Sequence, residues 1–155
     1  MFDKFYEENF DEVKKVCGYN PKAAETVEEL KKDGIRVVLA TNPIFPSIAT
    51  GKRIRWAGLE PEDFELYTSY ENIGYCKPNP DYYREILGKL NLKPEECLAL
   101  EDSPTGILSA YRAGCLPVMI PDLDQPGEDT QKLLFAKADS LSDIIAILKA
   151  QNGHL

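Results

Sequence analysis

Histidine is almost absent from this chain: His154 is the only one, and it stands next to last. Chain ends fray, so imidazole catalysis and histidine-ligated metals are poor candidates. Cysteine is sparse and scattered, with Cys17, Cys76, Cys97 and Cys115 forming no Cys-x-x-Cys pair. That pattern points to reduced thiols used mostly for packing rather than to disulfides or a zinc site. No apolar run approaches the roughly 20 residues that a membrane helix needs. The opening Met-Phe-Asp-Lys lacks the pattern of a secretory signal, and the expected compartment is the cytoplasm. Positive charge is also short, 18 Lys and Arg against 26 Asp and Glu, a formal charge of −8. A general affinity for nucleic acid or an anionic membrane surface needs the opposite balance. A phosphorylated substrate is not excluded, because it needs only a local positive site. At 155 residues the chain fits one domain with a sizeable core.

What is present centres on Cys97-Leu-Ala-Leu-Glu-Asp-Ser-Pro-Thr-Gly106. The continuous apolar run of Leu98, Ala99 and Leu100 suits a strand buried on both faces of a parallel sheet. Glu101 and Asp102 then fall at the carboxyl end of that strand, where open α/β sheets hold their sites. Ser103 is placed as a helix N-cap and Pro104 as the first helical residue. Two neighbouring carboxylates repel unless positive charge sits between them, and Mg²⁺ meets that need with oxygen ligands. The same pair also serves as an ordinary acidic first turn complementing a helix dipole, and the dipeptide alone leaves both readings open.

From the N-terminus, Phe2, Phe5, Tyr6, Phe10 and Val13 recur at helical spacing and predict one amphipathic helix over 1–16. Asn20-Pro21 opens a second helix that Gly34 closes. Ile35 to Ala40 reads as a buried strand ending at Thr41-Asn42-Pro43. A hydroxyl, an amide and freed backbone N–H groups there can bind a phosphate oxygen, although Thr-Asn-Pro is also plain turn vocabulary. Pro46 to Ala57 predicts a helix whose Lys52, Arg53 and Arg55 form a solvated basic face. Phe64 to Tyr70 alternates as a third strand. Beyond it, Pro78 and Pro80 constrain Lys77 in a loop before the helix that carries Tyr82, Tyr83, Ile86, Leu87 and Leu90. After the organising strand and its helix, Leu116 to Ile120 predicts a fourth strand, and helices follow around 131–136 and 143–150. Strands and helices alternating with Gly and Pro punctuation predict a doubly wound, Rossmann-like α/β fold with a parallel sheet.

A strand ending in Thr41-Asn42, a Lys77-Pro78 loop and a strand ending in Glu101-Asp102-Ser103 with Gly106 beyond it occur in that order. Together they resemble the haloacid dehalogenase superfamily, and the Leu-Glu-Asp-Ser-Pro-x-Gly-Ile tail is similar to its β-phosphoglucomutase-like branch. Thr41 to Leu59 resembles a different branch. The resemblance implies an Mg²⁺-dependent phosphohydrolase acting on a small phosphorylated metabolite through an aspartyl-phosphate. Thr41 would bind the transferring phosphoryl group with Asn42 beside it. Lys77 would neutralise charge on phosphate and nucleophile, and Glu101 and Asp102 would position the metal. The family's nucleophile is the first Asp of an Asp-x-Asp ending the first, central strand. No such signature is read in this chain, since Asp3 and Asp11 both lie in the amphipathic stretch with neither an apolar strand before them nor a second Asp two residues on. Residues 1–20 therefore read as a remnant of the family's cap and linker, and 21–155 as a core lacking its central strand. A nucleophile supplied from elsewhere is one expectation, with a homo-oligomer or a complementing chain covering the exposed sheet edges. A non-catalytic phosphate-binding or interaction module is the alternative.

Overall fold

In the computed structural model, which describes residues 2–152, the chain is α/β with parallel strands, in two compact units. One is built from residues up to Asn72 and from Ile145 onward; the other is Ile73–Ile144.

The first unit opens with α1 (Phe2–Glu8), which breaks at Asn9 into a 3-10 segment, Phe10–Val16. The single helix expected over 1–16 is thus two pieces. The break seats Phe10 in an aromatic cluster. Its ring stacks on Trp56 at 5.2 Å and meets Tyr6 edge-on at 5.2 Å, and Phe45 closes the group. Helix α2 (Pro21–Lys32) starts as expected: the Asn20 side chain accepts from the Lys22 N–H at 3.0 Å, and Pro21 fills the first position, where an N–H would have no partner. After Gly34, whose φ of +77° suits glycine, the chain enters β1 (Val38–Leu39). Among the described residues no strand precedes Val38.

Helix α3 (Ser47–Trp56) carries the basic residues; Arg53 and Arg55 are exposed, as a solvated face requires, and Lys52 is the exception. The Lys52 side chain is only 18% exposed and is held by Asp11 at 2.6 Å and the Glu7 carbonyl at 2.8 Å. Arg53 stands 5.3 Å from the Phe45 ring centre, and Arg55 pairs with Glu60 at 2.9 Å. Strand β2 (Leu66–Tyr67) pairs parallel with β1, Val38 opposite Leu66 and Leu39 opposite Tyr67. Both strands are shorter than the sequence predicted; β2 ends where Thr68 turns to follow the loop after β1.

In the second unit α4 (Asp81–Leu90) buries Tyr82, Tyr83, Ile86 and Leu87, the face read from the sequence. Strand β3 (Leu98–Glu101) pairs parallel with β4 (Leu116–Met119) from Leu98 opposite Leu116 to Glu101 opposite Met119. Between them α5 (Pro104–Ala113) is capped by Ser103, which accepts the Gly106 N–H at 3.2 Å, and ends at Gly114 with φ of +91°. β4 is central, with Val118 and Met119 fully buried, and β5 (Ala136–Lys137) completes the sheet. The helix expected around 131–136 is therefore mostly wrong. Helix α6 is confined to Glu128–Gln131, and Ala136 and Lys137 pair with Val118 and Met119 because only a strand there satisfies the outer edge of β4. The last helix, α7 (Asp143–Asn152), lies where expected. His154 falls outside the described residues.

Candidate functional site

Strand β3 is not buried on both faces: Ala99 and Glu101 are buried, while Leu98 and Leu100 are half-buried. Because strand side chains alternate, the acidic pair separates. Glu101 turns into the protein, and Asp102 is exposed. The positive charge answering Glu101 is Lys77, whose ammonium lies 2.6 Å from Glu101 Oε1, with side chains only 10% and 3% exposed. The Tyr83 hydroxyl donates to the same oxygen. Lys77 also stands 5.2 Å and 5.8 Å from the ring centres of Tyr82 and Tyr83, where their π-faces attract a cation.

The Lys77 loop is fixed from several sides. The Lys77–Pro78 peptide is cis, the Asn79 N–H returns to the Cys76 carbonyl at 3.0 Å, and Ser109 of α5 donates to the Asn79 carbonyl at 2.8 Å. The Asn79 side chain accepts the Asp81 N–H at 2.9 Å just ahead of α4. The remaining Glu101 oxygen lies over the first turn of α5, so close to Gly106 that a β-carbon there would stand 1.9 Å from it. A helix N-terminus favours a carboxylate in that position. Lys77 and Glu101 are thus brought together, as a direct ion pair that the sequence does not specify. Tyr83 and Gly106 complete the arrangement unforeseen. Tyr83 is indistinguishable in sequence from a core aromatic, and Gly106 gave only its place in the motif.

The buried groups around this pair resist ionisation. Burial, then the adjacent Glu101 carboxylate, holds the Tyr83 phenol well above its ordinary value of 10.0. Burial, with Cys97 nearby, pushes the Cys115 thiol up to about 12 from 9.0. Both folded values are raised, so the stabilisation is complete below the unfolded values, near 9 and 10, and is lost as pH rises through the folded ones. The urea midpoint of this unit is therefore expected to hold to about pH 9 and then fall steadily. Cys115→Ala should flatten the part of the fall between pH 9 and 12. The same burial predicts that a disulfide reagent labels exposed Cys17 and Cys76 at once and Cys115 only on unfolding.

Thr41 and Asn42 belong to the first unit, directly after β1, and both are half-buried. The Thr41 carbonyl accepts the hydroxyl of fully buried Thr68 at 2.5 Å, and the Ile44 N–H returns to the Asn42 carbonyl at 2.8 Å. Thr68, read only as part of a strand, is what holds this loop.

For Mg²⁺ the donor set is small. No group of three or more His, Cys, Asp or Glu side chains converges among the described residues. One Glu101 oxygen is taken by Lys77 and Tyr83, which leaves the exposed Asp102 as the accessible carboxylate. One or two carboxylates with substrate phosphate and water form an ordinary Mg²⁺ shell, so the residues fit the ion. One Asp-x-Asp spacing does follow a strand, at Asp122 and Asp124 beyond β4, both exposed on an irregular loop.

A sequence profile described as haloacid dehalogenase-like hydrolase matches residues 4–114. The CbbY protein of Cereibacter sphaeroides is 34% identical over 133 residues, 86% of this chain and 56% of that protein. The structure of CbbY from Rhodobacter sphaeroides with bound phosphate superimposes with a TM-score of 0.66 at 29% identity, over 78% of this chain and 53% of the other. A structure described as a β-phosphoglucomutase from Thermotoga maritima gives 0.70 at 26% identity, over 84% and 60%. This chain spans a little over half the length of these relatives. The chain belongs to the haloacid dehalogenase-like hydrolases, on their β-phosphoglucomutase-like branch.

Proposed function

We propose that this chain supplies the phosphate-binding, charge-neutralising and metal-holding parts of an Mg²⁺-dependent phosphohydrolase acting on a small phosphorylated metabolite. The observation that carries the reading is the buried Lys77–Glu101 pair beside an exposed Asp102 at the carboxyl end of β3. An amine so fixed and screened from water acts on phosphate charge with little reorganisation, which is the main requirement of phosphoryl transfer. The Thr41 hydroxyl and the Asn42 amide bind phosphoryl oxygens. Asp102 would hold the metal, and Glu101 would support it from behind while fixing Lys77. Mg²⁺ would supply further neutralisation of phosphate charge. A related CbbY crystallises with xylulose-(1,5)-bisphosphate, in keeping with a phosphorylated sugar or similar metabolite. Phosphatase is favoured over phosphomutase because water is the default acceptor of the phosphoryl group.

The nucleophilic carboxylate is assigned to a strand outside these 155 residues, since no aspartate follows an apolar strand ahead of Thr41. The test is p-nitrophenyl phosphate hydrolysis with Mg²⁺ or EDTA, by this chain and by a version extended upstream with an apolar strand ending in Asp-x-Asp. Metal-dependent turnover is expected only in the extended version and falls at least a hundredfold in Asp102→Asn. Metal-dependent turnover by the 155 residues alone would overturn the outside nucleophile, and its loss in Asp122→Asn would locate the nucleophile beyond β4. No turnover in either version would favour the non-catalytic module.

A further inference from the structure

The segment Thr68–Asn72 lies outside every motif that suggested the function, yet its hydrogen bonds track the loop after β1 residue by residue. Thr68 donates its N–H to the Leu39 carbonyl at 3.0 Å and its hydroxyl to the Thr41 carbonyl at 2.5 Å. The Tyr70 N–H reaches the Phe45 carbonyl at 3.1 Å. The Glu71 carboxylate then accepts the Ser47 N–H with both oxygens, at 3.0 Å and 2.9 Å, closing the start of α3. The segment holds its own shape through Asn72, whose side chain accepts the Ser69 N–H at 2.8 Å and donates to the Tyr67 carbonyl at 2.9 Å. Three anchors at Thr41, Phe45 and Ser47 thus leave the loop little freedom.

From this geometry we infer that Thr68 and Glu71 are positioning residues for phosphate binding by Thr41 and Asn42, an inference that rests on the role proposed for that loop. A trans peptide points its C=O and the following N–H in opposite directions. Holding the Thr41 carbonyl on the Thr68 side therefore turns the Asn42 N–H to the opposite side. The Thr41 α-carbon is fixed by the same bond, which limits where its hydroxyl can stand. Thr68 is fully buried, so it reaches a ligand only through Thr41. Glu71 fixes the far end, where the loop becomes helix. A preset loop gives up less conformational freedom when phosphate binds, and affinity rises accordingly.

The experiment is a titration of the full chain with inorganic phosphate, followed by the backbone amide signals of Thr41, Asn42 and Ile44 in nuclear magnetic resonance. Thr68→Val keeps the shape and removes the hydroxyl; Thr68→Ser keeps the hydroxyl. Phosphate is expected to bind about tenfold more weakly to Thr68→Val, what one buried hydrogen bond is worth, with near-normal binding to Thr68→Ser. The fast motion of the Asn42 amide should rise in the valine variant alone. Glu71→Asp, on the exposed surface, keeps the charge but withdraws the carboxylate by one carbon. It should weaken binding about threefold, and it carries the test if Thr68→Val fails to fold. Equal affinity in the variants and the parent would overturn the positioning role and leave the phosphate loop standing. Absence of any phosphate response at Thr41 and Asn42 in the parent would overturn the loop's assignment and this inference with it.

Discussion

Gly106→Ala is expected to destabilise the unit Ile73–Ile144 by about 3 kcal/mol, although helix propensity alone favours the change by about 1 kcal/mol. Gly106 lies in the first turn of α5 with ordinary helical backbone, so the new methyl group is conformationally welcome. Space decides the sign. A β-carbon would stand 1.9 Å from Glu101 Oε2, 2.3 Å from its Cδ and 3.0 Å from its Cγ. A lone carboxylate on a flexible side chain could swing aside, but this one is 95% buried and held by Lys77 and Tyr83. Yielding to the methyl group means breaking those bonds, and resisting it means moving α5. Urea denaturation of the variant measures the loss. The control is the same substitution in a Glu101→Ala background, where alanine at 106 should be neutral or stabilising. An equal cost in both backgrounds would show that the carboxylate is not the cause.

Lys77→Met should cost about 3 to 5 kcal/mol, because it leaves Glu101 buried with its charge uncompensated. The Tyr83 hydroxyl remains as a donor, which places the expected value at the lower end. The pair itself is not a large source of stability, since desolvating both charges offsets most of their attraction. Lys77→Met with Glu101→Gln should accordingly recover most of the loss, and the cycle of single and double variants isolates the coupling. If the double variant is no more stable than Lys77→Met alone, the penalty comes from lost packing against Tyr82 and Tyr83 rather than from the stranded charge. By contrast, the exposed pairs such as Lys22–Glu25 should each be worth well under 1 kcal/mol.

Much of the secondary structure was legible because the signals were local. Asn20-Pro21 and Ser103-Pro104 opened helices through side-chain caps and prolines that need no N–H, and Gly34 and Gly114 closed them where φ is positive. The order of Thr41, Lys77 and Glu101-Asp102 was enough to indicate the family, because motif order survives where overall identity does not. The errors share one physical origin. Leu134 to Ala136 look helical in a window of their own, yet Ala136 becomes strand, with Lys137, because β4 offers an unpaired edge. Lys52 looks solvated and is drawn against Asp11 and the Glu7 carbonyl by the N-terminal segment.

By itself, the sequence determined the periodicities, the caps, the alternating α/β order and the short motifs that mark the family, each encoded within a few neighbouring positions. Only the tertiary structure decided what each carboxylate does. It sent Glu101 inward to Lys77, Tyr83 and the bare backbone of Gly106, and left Asp102 in solvent. It also made Thr68 the clasp on Thr41. Adjacent residues on a strand face opposite ways, and their partners come from segments 18 to 27 positions distant, as Tyr83–Glu101 and Thr41–Thr68 show. No local pattern specifies such distances; the packing of helices and loops against the sheet does.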